Sequence, residues 1–126
     1  MIDKKKYARI RDQIAKARGP LTLFALFLPD EMNDQWDLVV AGPKLRENNF
    51  DDLGFVSEIV MKTLSEQDFR SLNRVVVLDD PHGPLQELLT SSVNTSEPIV
   101  RDSFLFFRLP IRRGYIFTAQ LSSVAA

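Results

Sequence analysis

Residues 21–28 read LTLFALFL, seven apolar side chains and one threonine with no charge among them. Successive side chains on a strand point to opposite faces, so a stretch apolar at almost every position has to be covered on both. That requirement predicts an interior strand of a sheet with material packed above and below. The polar break PDEMND follows, and QWDLVVA resumes as a second strand that stops at Gly42-Pro43. So short a break predicts an antiparallel hairpin.

Around this hairpin the periodicity alternates between helix and strand. Asp3 is placed to cap a helix on which Tyr7, Ile10, Ile14 and Ala17 form one apolar stripe, with Arg18 in its last turn and Gly19-Pro20 as the stop. FDDLGFVSEIVMKTL predicts a second helix, capped by Asp51 or Asp52 and buried through Leu53, Val56, Val60 and Leu64. Ser65 predicts the cap of a short helix, SEQDFRSL, facing Phe69 and Leu72 inward. RVVVLDD is rich in β-branched residues and predicts a buried strand. PHGPLQELLTSS predicts a turn and a short helix, and SVNTSEP the most loop-like stretch of the chain. IVRDSFLFFRLP and RRGYIFTAQLS then predict two strands with a reversal near Arg113-Gly114. At 126 residues, with no linker or repeat, this order describes one α+β domain. Its sheet is expected to be mixed or mostly antiparallel, with about five strands and helices largely on one face.

The residue inventory excludes several chemistries. There is no cysteine and a single histidine, His82, so thiolate sites, disulfides and multi-histidine metal sites within one chain are out of reach. No P-loop, dinucleotide fingerprint or Gly-x-Ser-x-Gly elbow is present. The start, MIDKKKYARIRDQ, lacks the apolar core of a secretory signal, and no apolar run approaches the roughly 20 residues of a membrane helix. A cytoplasmic chain with no membrane partner is the expectation. The net charge of −1 conceals an uneven layout: residues 1–18 carry +5, residues 19–100 carry −9 and residues 101–126 carry +3. Such an asymmetry suits a nucleic-acid or phosphate partner, but the expectation is that the basic ends lie beside the acidic middle in the fold or in a neighbouring subunit.

One chemical lead lies in the hairpin. QWDLVV carries Asp37 inside an apolar run, and VVVLD ends the next expected strand with Asp79. A hairpin with an acidic residue in its second strand, then a helix, then a strand ending in an acidic residue resembles the minimal nucleotidyltransferase core, over roughly residues 21–90. The resemblance implies two strand aspartates spaced i, i+2, a third on the next strand, and divalent metal held between them for nucleotidyl transfer. Residues i and i+2 share one face of a strand, which is why that spacing would serve metal binding. Here the first position of the pair is Gln35, and FALFLPDEM offers Asp30 and Glu31 where the family has a Gly-Ser phosphate cradle. Transfer chemistry is therefore not expected, and no cofactor is assigned.

His82, in DDPHGP, stands beside Asp79 and Asp80 as a candidate base or single metal ligand, set against an ordinary loop residue. Asp37 alone would be a strand-end residue reaching solvent or a turn amide. Arg101, Arg108, Arg112 and Arg113 are candidate phosphate or nucleic-acid contacts near Phe104, Phe106 and Phe107. Consecutive phenylalanines point to both faces of a sheet, which favours core or subunit contact over a nucleic-acid surface. The expected function is a non-catalytic interaction or regulatory domain that self-associates as a homo-oligomer, with another protein as an alternative partner. The alternatives are a diverged nucleotidyltransferase-like protein binding nucleotide or divalent metal through Asp37 and Asp79, and nucleic-acid binding through the basic ends.

Overall fold

The structure is a computed structural model that describes residues 2–30, 34–47, 49–79 and 92–120. Strand β1 (Leu23–Pro29) holds the middle of a five-stranded sheet, and from Leu23 to Leu28 no side chain is more than 7% exposed. It pairs antiparallel with β2 (Trp36–Ala41) on one side and with β5 (Leu109–Ala119) on the other. β3 (Leu72–Leu78) lies parallel to β2, and β4 (Val93–Phe106) lies antiparallel to β5. The order is β3-β2-β1-β5-β4, a mixed sheet in a single α+β domain.

The two faces of the sheet are covered differently. Phe24, Leu26, Leu28, Leu38, Val40 and Phe117 pack with Tyr7, Ile10 and Ile14 of α1 (Lys4–Arg18) and with Val56 and Val60 of α2 (Phe50–Thr63). On the opposite face Leu23, Ala25, Phe27, Val39 and Ala41 pack with Phe106, Ile111, Ile116 and Ala119, all from strands. No helix among the described residues is long and apolar enough to cross a membrane.

Local chemistry sets most of the helix ends. The Asp3 side chain accepts from the Lys6 amide at 3.2 Å, and Gly19 closes α1 with its N–H on the Ala15 carbonyl. Ser65 and Asp68 form a reciprocal capping box on α3 (Glu66–Phe69). The expected cap of α2 is corrected: Asn49 caps it by accepting from the Asp52 amide, and Asp52 turns inward instead. There its carboxylate accepts from Arg18 Nη1 at 2.6 Å and from the Arg46 amide at 2.9 Å, tying the end of α1 to the start of α2. Leu53, expected in the buried stripe, is 37% exposed, whereas Val56, Val60 and Leu64 are buried.

Two expectations in the last third are overturned. All of SVNTSEP after Ser92 belongs to β4: Asn94 accepts from the Thr118 hydroxyl across the strand pair, and the Thr95 carbonyl accepts from Arg11. An edge strand tolerates this polar composition because one side of it meets water. The reversal falls at Phe107–Arg108, and Gly114 sits inside β5 opposite Arg101. Glycine is required at 114 for space, since a Cβ there would lie 2.8 Å from the Phe104 ring and 3.1 Å from Phe27. Residues 80–91, where a turn and short helix were expected, lie outside the described residues.

Two outcomes test this packing. Gly114→Ala should lower stability in urea by about 1–2 kcal/mol through overpacking, and Phe104→Leu in the same chain should recover part of the loss. Separately, the Lys6 ammonium and the Ser65 amide hold Asp68 at about 2, below its ordinary 3.8. A carboxylate with a lowered folded value stabilises fully above the unfolded value and loses that contribution as pH falls toward the folded one. The stability gap between the native chain and Asp68→Asn should therefore be constant above about pH 5, shrink below about pH 4, and close near pH 2 in urea melts.

Candidate functional site

Alternation along β2 sends Trp36, Leu38 and Val40 to the helix-packed face and Asp37, Val39 and Ala41 to the other. The β2–β3 register slips once, from Trp36↔Leu72 to Asp37↔Arg74, and leaves Asn73 as an extra residue on β3. The bulge lets two neighbours reach one carboxylate. Asn73 Nδ2 donates to Asp37 Oδ1 at 2.8 Å, and Arg74 Nε lies 3.2 Å from Oδ2. Asp37 is only 5% exposed, so the expectation of a solvent-reaching strand-end residue is corrected. A buried carboxylate has to be paired, and here one oxygen accepts from the Asn73 amide while the other faces the Arg74 guanidinium as an ion pair.

Asp37 and Arg74 lie at one end of a cavity of about 340 Å³ on the face where, among the described residues, only strands pack. Its floor is Phe27, Val39, Val76 and Leu78, and Phe106, Phe107, Leu109 and Ile111 complete the wall. Phe27 meets Phe104 and Phe106 edge-on, with centroids 5.3 and 4.9 Å apart. Glu47 stands at the far end, where its amide donates to Asp79 at 2.9 Å. The volume and the apolar lining with few polar groups are those of a small-molecule or side-chain site.

The lip is the β4–β5 turn, in which Phe107 and Arg108 have φ of 50° and 64°. A two-residue hairpin with both residues left-handed matches the twist of the strands but normally takes asparagine and glycine. Holding bulky side chains there costs about 1–2 kcal/mol per residue. Phe107 is nevertheless 54% exposed and Leu109 51%, so the strain serves to project apolar groups beside the cavity rather than to bury them.

The other candidates are dispersed. Asp79 follows β3 and is exposed. Because β2 and β3 are parallel and Asp37 pairs with Arg74, Asp79 lies five residues further along, roughly 16 Å at strand rise. Two carboxylates that far apart cannot hold one ion. Gln35 precedes β2 and its amide donates to the Arg70 carbonyl at 3.5 Å. No cluster of three or more metal-ligating side chains occurs among the described residues, and His82 lies outside them. Arg113 pairs with Asp102 at 2.6 Å, which raises its guanidinium value further, and Arg112 donates to the Asp30 carbonyl. Arg108 occupies the turn, while Arg101 lies within β4. The four arginines do not converge on the cavity. Sequence reasoning missed Asn73 and Arg74, and it read Phe107 as core or subunit contact rather than as the lip of a cavity. The available signal was a basic residue opening the apolar RVVVL run, a match for the lone acid in QWDLVV.

Searches against protein-family models, curated proteins and solved structures return no match to this chain, so its chemistry rests on the geometry above. The Asp37 cluster can be tested directly. Asp37→Asn should cost about 1–2 kcal/mol, the scale of losing the charge in a hydrogen bond from Asn73 and in an ion pair with a partly solvated arginine. A double-mutant cycle with Arg74→Gln should return a coupling of about 1 kcal/mol in urea unfolding, and additive effects would mean that the pair contributes nothing.

Proposed function

We propose that this chain is a non-catalytic interaction or regulatory domain that recognises a small apolar group ending in an acid. The observation that carries the reading is the polarity of the cavity between β2, β3 and the β4–β5 turn. Asp37 is already engaged on both oxygens, which leaves it poorly suited to act as a base or to ligate metal. Arg74 is different. Its side chain is 59% exposed, and its Nε lies 3.2 Å from Asp37 Oδ2. The other N–H groups of the guanidinium fork can receive a carboxylate, and Asp37 fixes their orientation. Glu47 at the opposite end repels an acid, so a ligand is aligned with its charged end at Arg74 and its apolar body over Val39, Val76 and Phe27. A free aliphatic acid and the C-terminus of a partner chain share this chemistry.

The test is a fluorescence titration with anilinonaphthalene sulfonate, an aromatic anion, followed by displacement. One saturable site per folded chain is expected. Arg74→Gln should weaken it about tenfold, matching the roughly 1.4 kcal/mol at the low end for a hydrogen bond to a charged group. Phe107→Asp should abolish it. Octanoate against apolar peptides with free and amidated C-termini tells the two ligand sources apart. Binding indifferent to both substitutions would sink the proposal. Saturable binding of ATP with Mg²⁺, lost in Asp37→Asn and in Asp79→Asn, would replace it with the diverged nucleotidyltransferase reading.

A further inference from the structure

The sheet has two edges, and they are built differently. β4 carries nearly every device that blocks strand pairing. Pro98 interrupts it, its register with β5 breaks between Asn94 and Ile99, and Ser103 has φ of 52°. Helix α1 lies against its first half, with Arg11 donating to the Thr95 carbonyl and Lys4 paired to Glu97 at 3.4 Å. Arg101 and Asp102 add charge further on.

On β3 such devices are confined to its start, the bulge at Asn73 and the charge of Arg74. From Arg74 to Leu78 it pairs with β2 without a break, contains no proline and no left-handed residue, and reads RVVVL. Its other side has no partner strand among the described residues. A hollow of about 640 Å³ runs along this open side, lined by Val75, Val76, Val77 and Leu78 together with Phe50 and Leu53 of α2. Phe50 is 89% exposed, the most exposed large apolar side chain described. An unguarded valine-rich edge beside a bare phenylalanine is a pairing template.

We propose that the β3 edge pairs antiparallel with the β3 edge of a second copy of this chain, joining two five-stranded sheets across a two-fold axis. The charges select a second copy over an unrelated strand. Arg70 and Arg74 mark the beginning of β3, and Glu47 and Asp79 mark its end. Antiparallel self-pairing sets the basic beginning of each strand against the acidic end of the other, and an isologous contact satisfies both ends at once. A two-fold axis normal to the sheet preserves its faces, so the central residue must oppose itself. Centring on Arg74 would oppose two like charges, which is destabilising. Centring on Val76 opposes Val75 to Val77, Arg74 to Leu78 and Asn73 to Asp79, with no like charges in contact. The two apolar cavities then open on the same side of one continuous sheet. This inference rests on the strand edge and stands whether or not the cavity binds an acid.

The chain has no cysteine, which permits a clean test. Directly opposed residues of an antiparallel pair have Cα atoms about 4.5–5.5 Å apart, within the range a disulfide spans. The full chain should sediment as a dimer at micromolar concentration. Val76→Cys should cross-link to a covalent dimer under mild oxidation, while Val100→Cys on β4 should stay monomeric on a denaturing gel. Val76→Lys should weaken dimerisation at least tenfold, with its circular dichroism confirming the fold, and Phe107→Asp should leave the dimer intact. A monomer at every concentration, or Val100→Cys cross-linking as readily as Val76→Cys, would overturn the proposal.

Discussion

The two-sided burial of β1 is the constraint on which the rest of the structure depends. Phe24, Leu26 and Leu28 need cover on one face and Leu23, Ala25 and Phe27 on the other. At about 25 cal/mol per Å² of apolar surface, leaving either set in water would forfeit several kcal/mol, a large part of a small domain's stability. Helices α1 and α2 meet the first demand with Tyr7, Ile10, Ile14, Val56 and Val60. Among the described residues, the second is met by strands. β5 has register irregularities at Phe24/Ala25 and Leu28/Pro29, and the β4–β5 hairpin brings Phe104 and Phe106 onto Phe27. A hairpin covers less than a pair of helices does, and the shortfall is the cavity between Phe27, Val39, Val76 and Phe107.

Charge follows the same division. The basic first helix spends much of its charge inside the molecule: Lys6 on Asp68 at 2.7 Å, Arg18 on Asp52 at 2.6 Å and Lys4 on Glu97. Each links the amino-terminal segment to the acidic middle, so the asymmetry of the sequence is partly an internal match. Asp52 matters most among these acids because it is buried and also receives the Arg46 amide. Tyr7 is buried with its hydroxyl unbonded among the described residues, and burial, with the Asp68 charge, raises its phenol above the ordinary value.

What could be read from the sequence follows the range of each interaction. The Asp3 cap, the Gly19 stop and the Ser65 box act within three or four residues, and all three are legible as spacing. The interior position of β1 is legible because its composition admits no other placement. The reversal was misplaced because glycine at 114 answers to two aromatic rings from distant parts of the chain, while the turn itself falls on residues that turn chemistry disfavours. SVNTSEP misled for the same reason, since its strand depends on Arg11 and Thr118. Of the candidate site, Asp37 was visible and its partners were not. They lie 36 and 37 positions away and reach it only through a parallel register displaced by one bulge.

That register gives the Asp37 cluster its structural meaning. Strand side chains alternate, so a one-residue slip of β3 would turn Arg74 toward the helix-packed face and swap Val75 and Val77 for Val76 and Leu78. Valines would survive the exchange almost unchanged, because RVVVL is apolar on both faces. Arg74 would not: on the helix side it would meet Leu38, Val56 and Val60, and Asp37 would be left buried without its counter-ion. An unpaired buried carboxylate is far costlier than a misplaced methyl group. The polar pair therefore distinguishes registers that the hydrophobic pattern leaves nearly degenerate. By fixing which valines face the cavity, it also fixes which residues turn their N–H and C=O groups outward along the open edge.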